Sequence, residues 1–97
     1  MDQFIKVYRW MAKTGLSPEE ILVYALINSF TEQGIGYFAG YDGIQERTGV
    51  KSRKARAIVQ KLVQIGAVEQ SKQFVYGQTK NVLRSVLNFA QIFTNDV

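Results

Sequence analysis

Among its 97 residues the chain has no cysteine and no histidine. The first absence excludes a disulfide framework and a thiolate metal site. The second removes the commonest general base, the usual zinc ligand and the side chain that changes charge near neutral pH. Long apolar runs are missing too. The longest, Ile21–Ile27, has seven residues, far short of a membrane span. Met1-Asp2-Gln3 lacks a basic segment leading into an apolar one, so no secretory signal is read and a cytoplasmic location is expected. Gly34–Gly40 holds three glycines but neither a Walker lysine nor the GxGxxG spacing, and it reads as a connector with a brief strand near Tyr37–Phe38. Asp42 and Glu46 lie four apart without a third ligand, a weak basis for a metal site. With no coherent catalytic set, the expectation is a non-enzyme with no cofactor, no metal and no small-molecule substrate.

What is present is ordinary bulk and unevenly placed charge. The apolar fraction of 46% and the charged fraction of 21% suit a globular protein, and the length suits one domain spanning residues 1–97. Residues 1–46 carry three basic and six acidic side chains, whereas Arg47–Val97 carries nine basic and two acidic, for a net charge of +4. Six of the twelve Lys and Arg residues fall within RTGVKSRKARAIVQKLVQIG, residues 47–66, which has no acid. Such a concentration suits a surface that meets a polyanion.

Residues 3–10, QFIKVYRW, are rich in β-branched and aromatic types and predict a short docking strand, with Tyr8 and Trp10 as packing residues. Ser17-Pro18-Glu19-Glu20 is a helix start with cap, first-position proline and capping box. The helix should run to about Phe30 or Glu32 and stop at Gln33-Gly34. Its ILVYALI stretch is apolar nearly all round, which fits a core helix or a homodimer face.

A short helix at Tyr41–Thr48 follows, opening without a Ser or Thr cap. Gly49 supplies a left-handed turn plugged by Val50. A third helix should begin at Ser52 or Lys51 and reach about Ile65. At helical spacing Ala55, Ile58, Val59, Leu62 and Ile65 share one face, and Arg53, Arg56, Ala57, Gln60 and Gln64 share the other. Gly66 ends it. Residues 67–74 then read as a strand, Tyr76–Thr79 as a turn, and Lys80–Ala90 as the return strand with Val82, Val86 and Phe89 inward. Residues 93–97 read as an unpacked tail.

Three helices, an N-terminal strand and a small hairpin make a mainly α, α+β fold. A short helix, a Gly-Val turn and a second helix form a helix-turn-helix at about residues 41–65, with a wing at about residues 67–90. The segments FIKVYRW, LSPEEILVYALINSF and YDGIQERTGVKSRKARAIVQKLVQIGAVEQ resemble the winged-helix domains of plasmid and phage replication-initiator or replisome-organiser proteins and related bacterial regulators. That resemblance implies replication initiation or transcriptional regulation. It also implies that the third helix enters a DNA major groove, with Lys51, Ser52, Arg53, Lys54, Arg56, Ala57 and Gln60 as the reading surface.

The residues themselves support double-stranded DNA as partner. Arg53 and Arg56 can fork onto guanine, Ser52 and Gln60 can hydrogen-bond, and Ala57 permits close approach. Lys51, Lys54 and Lys61 suit phosphate, as do Lys72 and Lys80 in the wing. A merely solvated outer face is the competing reading, but such a face usually mixes Glu with Lys, and residues 51–65 have no acid. A second possibility is a protein-interaction domain that docks a partner through the first helix or residues 3–10.

Overall fold

The computed structural model describes residues 5–94, apart from the Val75 side chain. In chain order come a short 3₁₀ helix at Arg9–Lys13, α1 at Pro18–Glu32, α2 at Gly40–Thr48, α3 at Ser52–Gln64, strands β1 at Val68–Val75 and β2 at Gln78–Ser85, and α4 at Leu87–Thr94.

The start of α1 follows from its sequence. Ser17 Oγ accepts the Glu20 N–H at 3.2 Å, and Glu20 Oε1 accepts the Ser17 N–H at 2.9 Å, which completes the capping box. Pro18 occupies the first turn, where its missing N–H removes no helical bond. Beyond that turn the helix is apolar almost all round. Val23 through Ser29 are buried in an unbroken run of seven residues, with Val23, Tyr24, Ala25 and Ile27 at 0% exposure. Every other described element with regular structure takes part in enclosing it. The common cluster includes Met11, Ile44, Ala55, Ile58, Val59, Leu62, Val68, Leu83 and Phe89. The apolar face of α1 is therefore consumed by the chain's own core. Residues 23–29 accordingly have no exposed apolar surface, while Ile21, Leu22 and Phe30 are half-buried.

Asn28, Ser29 and Thr31 of α1 bond within the helix or tie it to the hairpin. Ser29 Oγ donates to the Ala25 carbonyl at 2.8 Å. Asn28 Oδ1 accepts from Ser85 Oγ at 2.8 Å, and Thr31 Oγ1 accepts the Ser85 N–H at 3.0 Å. These bonds fix the base of β2 against α1. Beside it Tyr37 exchanges both backbone bonds with Leu83 at 2.8 Å. The expected brief strand at Tyr37–Phe38 is thus a single bridge that extends the sheet at its β2 edge. Close packing there requires Gly36, since a Cβ at that position would lie 2.1 Å from Val82 Cγ1.

The two ends of the chain depart from the sequence reading. The strand expected over residues 3–10 is absent among the described residues: residues 5–8 have no regular structure, a 3₁₀ helix follows, and residues 3 and 4 lie outside the described range. Here the alternation of side chains carried the expectation, yet residues 5–8 pair with neither strand of the hairpin. The rings instead stack on one another and on the core, with Trp10 edge-on to Tyr24 at 5.9 Å and parallel to Phe93 at 6.2 Å. At the other end β2 stops at Ser85, and Leu87–Thr94 is a fourth helix rather than continued strand. Helical spacing puts Phe89 and Phe93 on one side, where their rings meet at 5.1 Å. Phe93 therefore packs, and the tail reading fails for it. Residues 95–97 lie outside the described range.

One core group is left unbalanced. The Tyr24 hydroxyl is buried with no hydrogen-bond partner among the described residues, and burial pushes its pKa up to about 12, with Glu32 adding to the rise. A buried hydroxyl without a partner costs about 1–3 kcal/mol. Tyr24→Phe should therefore hold stability or raise it by up to about 1 kcal/mol. Denaturant midpoints at neutral pH check this. A loss of more than about 1 kcal/mol would show that the hydroxyl has a partner.

Candidate nucleic-acid interface

The α2–α3 pair is built around a three-residue connection, Gly49-Val50-Lys51. α2 closes when the Gly49 N–H donates to the Gln45 carbonyl at 2.9 Å, with Gly49 at φ 80°. Only glycine adopts that conformation without strain. Thr48 Oγ1 donates to the Ile44 carbonyl at 2.7 Å and accepts the Val50 N–H at 3.1 Å, which leads Val50 inward to 3% exposure. Ser52 then anchors α3 to α2. Its hydroxyl donates to Asp42 Oδ1 at 2.6 Å, and its N–H donates to Gln45 Oε1 at 2.8 Å. The cap that serves α3 thus comes from a side chain seven residues upstream. Lys51, the residue in cap position, makes no side-chain cap bond.

Helix α3 divides as its periodicity predicts. Ala55, Ile58, Val59 and Leu62 are buried, while Arg53, Arg56, Ala57, Gln60 and Gln64 are exposed. Ile65 departs from the expected seam. It sits just beyond the helix, 46% exposed, because its N–H serves as the closing cap bond to Lys61 O and the chain turns away at Gly66.

The basic residues are not equivalent. Lys54 Nζ forms an ion pair with Glu19, and Lys61 Nζ lies 2.9 Å from Glu20 Oε2. One flank of α3 is therefore balanced by the acidic first turn of α1. Arg53 and Arg56 have no carboxylate within ion-pair distance among the described residues. Together with Tyr41, Asp42 and Ser52 they border an open cleft of about 340 Å³. Lys51 is exposed at the start of the helix.

The hairpin adds a second surface whose faces the register separates. Lys72 stands opposite Asn81, and Gln73 opposite Lys80. Since side chains alternate across a strand, Gln70, Lys72, Phe74, Thr79 and Asn81 share one face and Lys80 lies on the other. Gln70 and Asn81 border a small cleft with Tyr37, Gly40 and Tyr41, and Tyr41 also lines the cleft of Arg53 and Arg56. The Lys72 face therefore continues toward α3 and the Lys80 face does not. The sequence reading grouped both lysines in one wing surface, and strand register is the physical reason they part. It also passed over Tyr41 and Asp42 as members of this surface. The signal available was their place in the first turn of the helix that precedes the turn.

A family model described as a helix-turn-helix domain matches residues 14–67, more than half of the chain. The protein belongs to this helix-turn-helix family. A solved structure described as "N-Terminal domain of DNA binding protein" is similar over 98% of this chain and 89% of its own, with a TM-score of 0.60 at 13% identity. That likeness is one of fold. No match was found among curated protein sequences. With four helices and an antiparallel hairpin after the second helix of the motif, the architecture is a winged helix-turn-helix. No helix among the described residues is long and apolar enough to cross a membrane.

The Glu20–Lys61 ion pair carries a pH signature. The hydrogen bond from Lys61, and next the backbone bond from Ser17, lower the Glu20 pKa below its ordinary 4.5. A lowered folded-state value means that the stabilisation is complete above pH 4.5 and is lost as pH falls through the folded-state pKa. Glu20→Gln, which keeps the capping geometry, should cost about 0.2–1 kcal/mol at neutral pH. That difference from the parent should close in acid. Denaturation series from neutral pH to pH 3 check it, and a gap that stays constant with pH would assign the effect to something other than the charge.

Proposed function

We propose that this domain binds double-stranded DNA sequence-specifically by laying α3 in the major groove, and that it serves replication initiation or transcriptional regulation in the cytoplasm of a bacterium or of a cell hosting a phage or plasmid. The observation that carries this reading is the outward face of α3. It presents Arg53, Arg56, Ala57 and Gln60 to solvent, it contains no carboxylate, and it is held in orientation by Ser52 on α2. A major groove admits one helix, and side chains near the helix N-terminus reach the base edges. Arg53 and Arg56 are placed to read guanine, and Gln60 and Ala57 to meet neighbouring bases one turn on. Lys51 is placed for phosphate, as is Lys72 on the face of the hairpin that continues toward α3.

Lys54 and Lys61 have a different part in this scheme. Each must leave a carboxylate of α1 to meet a phosphate, so its net contribution to binding is smaller than that of an unpaired cation. Ser52 is likewise engaged, and it acts by positioning α3 rather than by reading a base. Lys80 faces away from α3 and adds to the general positive field.

Electrostatic contacts predict a steep salt dependence. The logarithm of the association constant should fall linearly with the logarithm of salt concentration, by about 0.9 for each phosphate neutralised. Fluorescence anisotropy with a labelled duplex between low and moderate salt checks this. A flat response would remove the electrostatic premise.

Individual substitutions should separate the basic residues. Arg53→Ala or Arg56→Ala should cost about 1–3 kcal/mol on a selected site and relax base preference. Lys54→Ala or Lys61→Ala should cost less than either and leave preference intact. Selection of bound duplexes from a random library at fixed salt gives the site. Equal losses for all four substitutions, with unchanged preference, would show that α3 contributes charge without readout.

A further inference from the structure

The distal part of the hairpin holds two rings that the core does not use. Phe74 is 76% exposed and Tyr76 is 92% exposed, although large aromatic side chains usually bury most of their surface. Neither ring stacks on another aromatic group among the described residues. Tyr76 also sits in the left-handed region at φ 50°, next to Gly77 at φ 78°. A two-residue turn with both central residues at positive φ favours Asn, Asp or Gly in the first position. A ring therefore stands at the tip where a small residue would close the turn with less strain.

The surroundings of these rings are cationic. No Asp or Glu occurs from Gln70 to Thr94, while Lys72, Lys80 and Arg84 do. Lys72 and Phe74 share the face that continues past Tyr41 toward Arg53 and Arg56. Exposed rings in a field with no carboxylate complement a base on a phosphodiester chain. Every base offers a π face, and the backbone supplies the negative charge.

We propose that Phe74 and Tyr76 form a base-stacking site, which takes an unstacked nucleobase from DNA whose paired portion lies on α3. The proposal rests on the reading of α3 as the duplex-binding element. An aromatic side chain introduced at a base step gains contact with the bases while the duplex bears the cost of unstacking. That cost is lowest where the bases are already unpaired. The tip therefore favours locally opened DNA over a fully paired duplex, independently of the sequence α3 reads.

The test compares the full chain on a mixed-sequence duplex with the same duplex carrying a short unpaired bubble, by fluorescence anisotropy at fixed salt. The bubble should bind about fivefold or more tightly than the duplex, the lower end of what stacking one base supplies. In a chain carrying Phe74→Ala and Tyr76→Asn, the two DNAs should bind within about twofold of each other, with duplex affinity close to that of the parent. Asparagine tolerates the left-handed turn, so the hairpin is retained. Phe74→Trp should keep the preference. Equal binding of both DNAs by the parent overturns the stacking site, as does a preference that survives the double substitution. A parent that binds the bubble but not the duplex overturns the reading of α3 and leaves the stacking site standing.

Discussion

The burial of α1 on all sides is the constraint from which the rest of the molecule follows. A helix with a single apolar stripe needs one layer against it. This one is buried continuously from Val23 to Ser29, so it must be surrounded. α2 and α3 cover it with Ile44, Ala55, Ile58 and Leu62, the hairpin base covers it with Val68 and Leu83, and the terminal helices close it with Met11 and Phe89. Because α3 gives one full face to this task, its opposite face is unavoidably outward. The outward side of the arginines is a by-product of enclosing α1.

Charge is distributed in keeping with that arrangement. Three of the six acidic residues of the N-terminal half sit where they stabilise structure: Glu19 and Glu20 in the first turn of α1, and Asp42 in the first turn of α2. Such positions favour negative charge through the helix dipole. Their second effect is to claim part of the basic content of α3, since Lys54 and Lys61 meet these carboxylates. The excess positive charge is thereby focused on a narrower strip than the composition suggests.

Elements governed by local chemistry were legible in the sequence. The capping box at Ser17–Glu20, the left-handed Gly49, the plug at Val50 and the division of α3 into two faces all depend on residues within a few positions of each other. The N-terminal strand and the long return strand were misread because alternation and aromatic content describe a side chain's preference for packing without naming its partner. Trp10 and Phe93 find one another across most of the chain's length, and no local pattern anticipates that. Site residues divided along the same line. Exposure of Arg53 and Arg56 follows from helical period, whereas the engagement of Ser52, Lys54 and Lys61, and the opposite facing of Lys72 and Lys80, depend on neighbours distant in sequence.

The link from Ser52 to Asp42 and Gln45 has a consequence in terms of rotation. Successive residues on a helix point about 100° apart, so the azimuth of α3 about its own axis decides which side chains meet a surface in front of it. Burial of aliphatic side chains sets that angle loosely, since a hydrophobic seam tolerates small turns. A pair of hydrogen bonds at the first residue of the helix is directional and acts as a stop. The short joint between α2 and α3 therefore serves as an angular index, keeping Arg53 and Arg56 aimed together instead of letting the helix roll on its apolar bed.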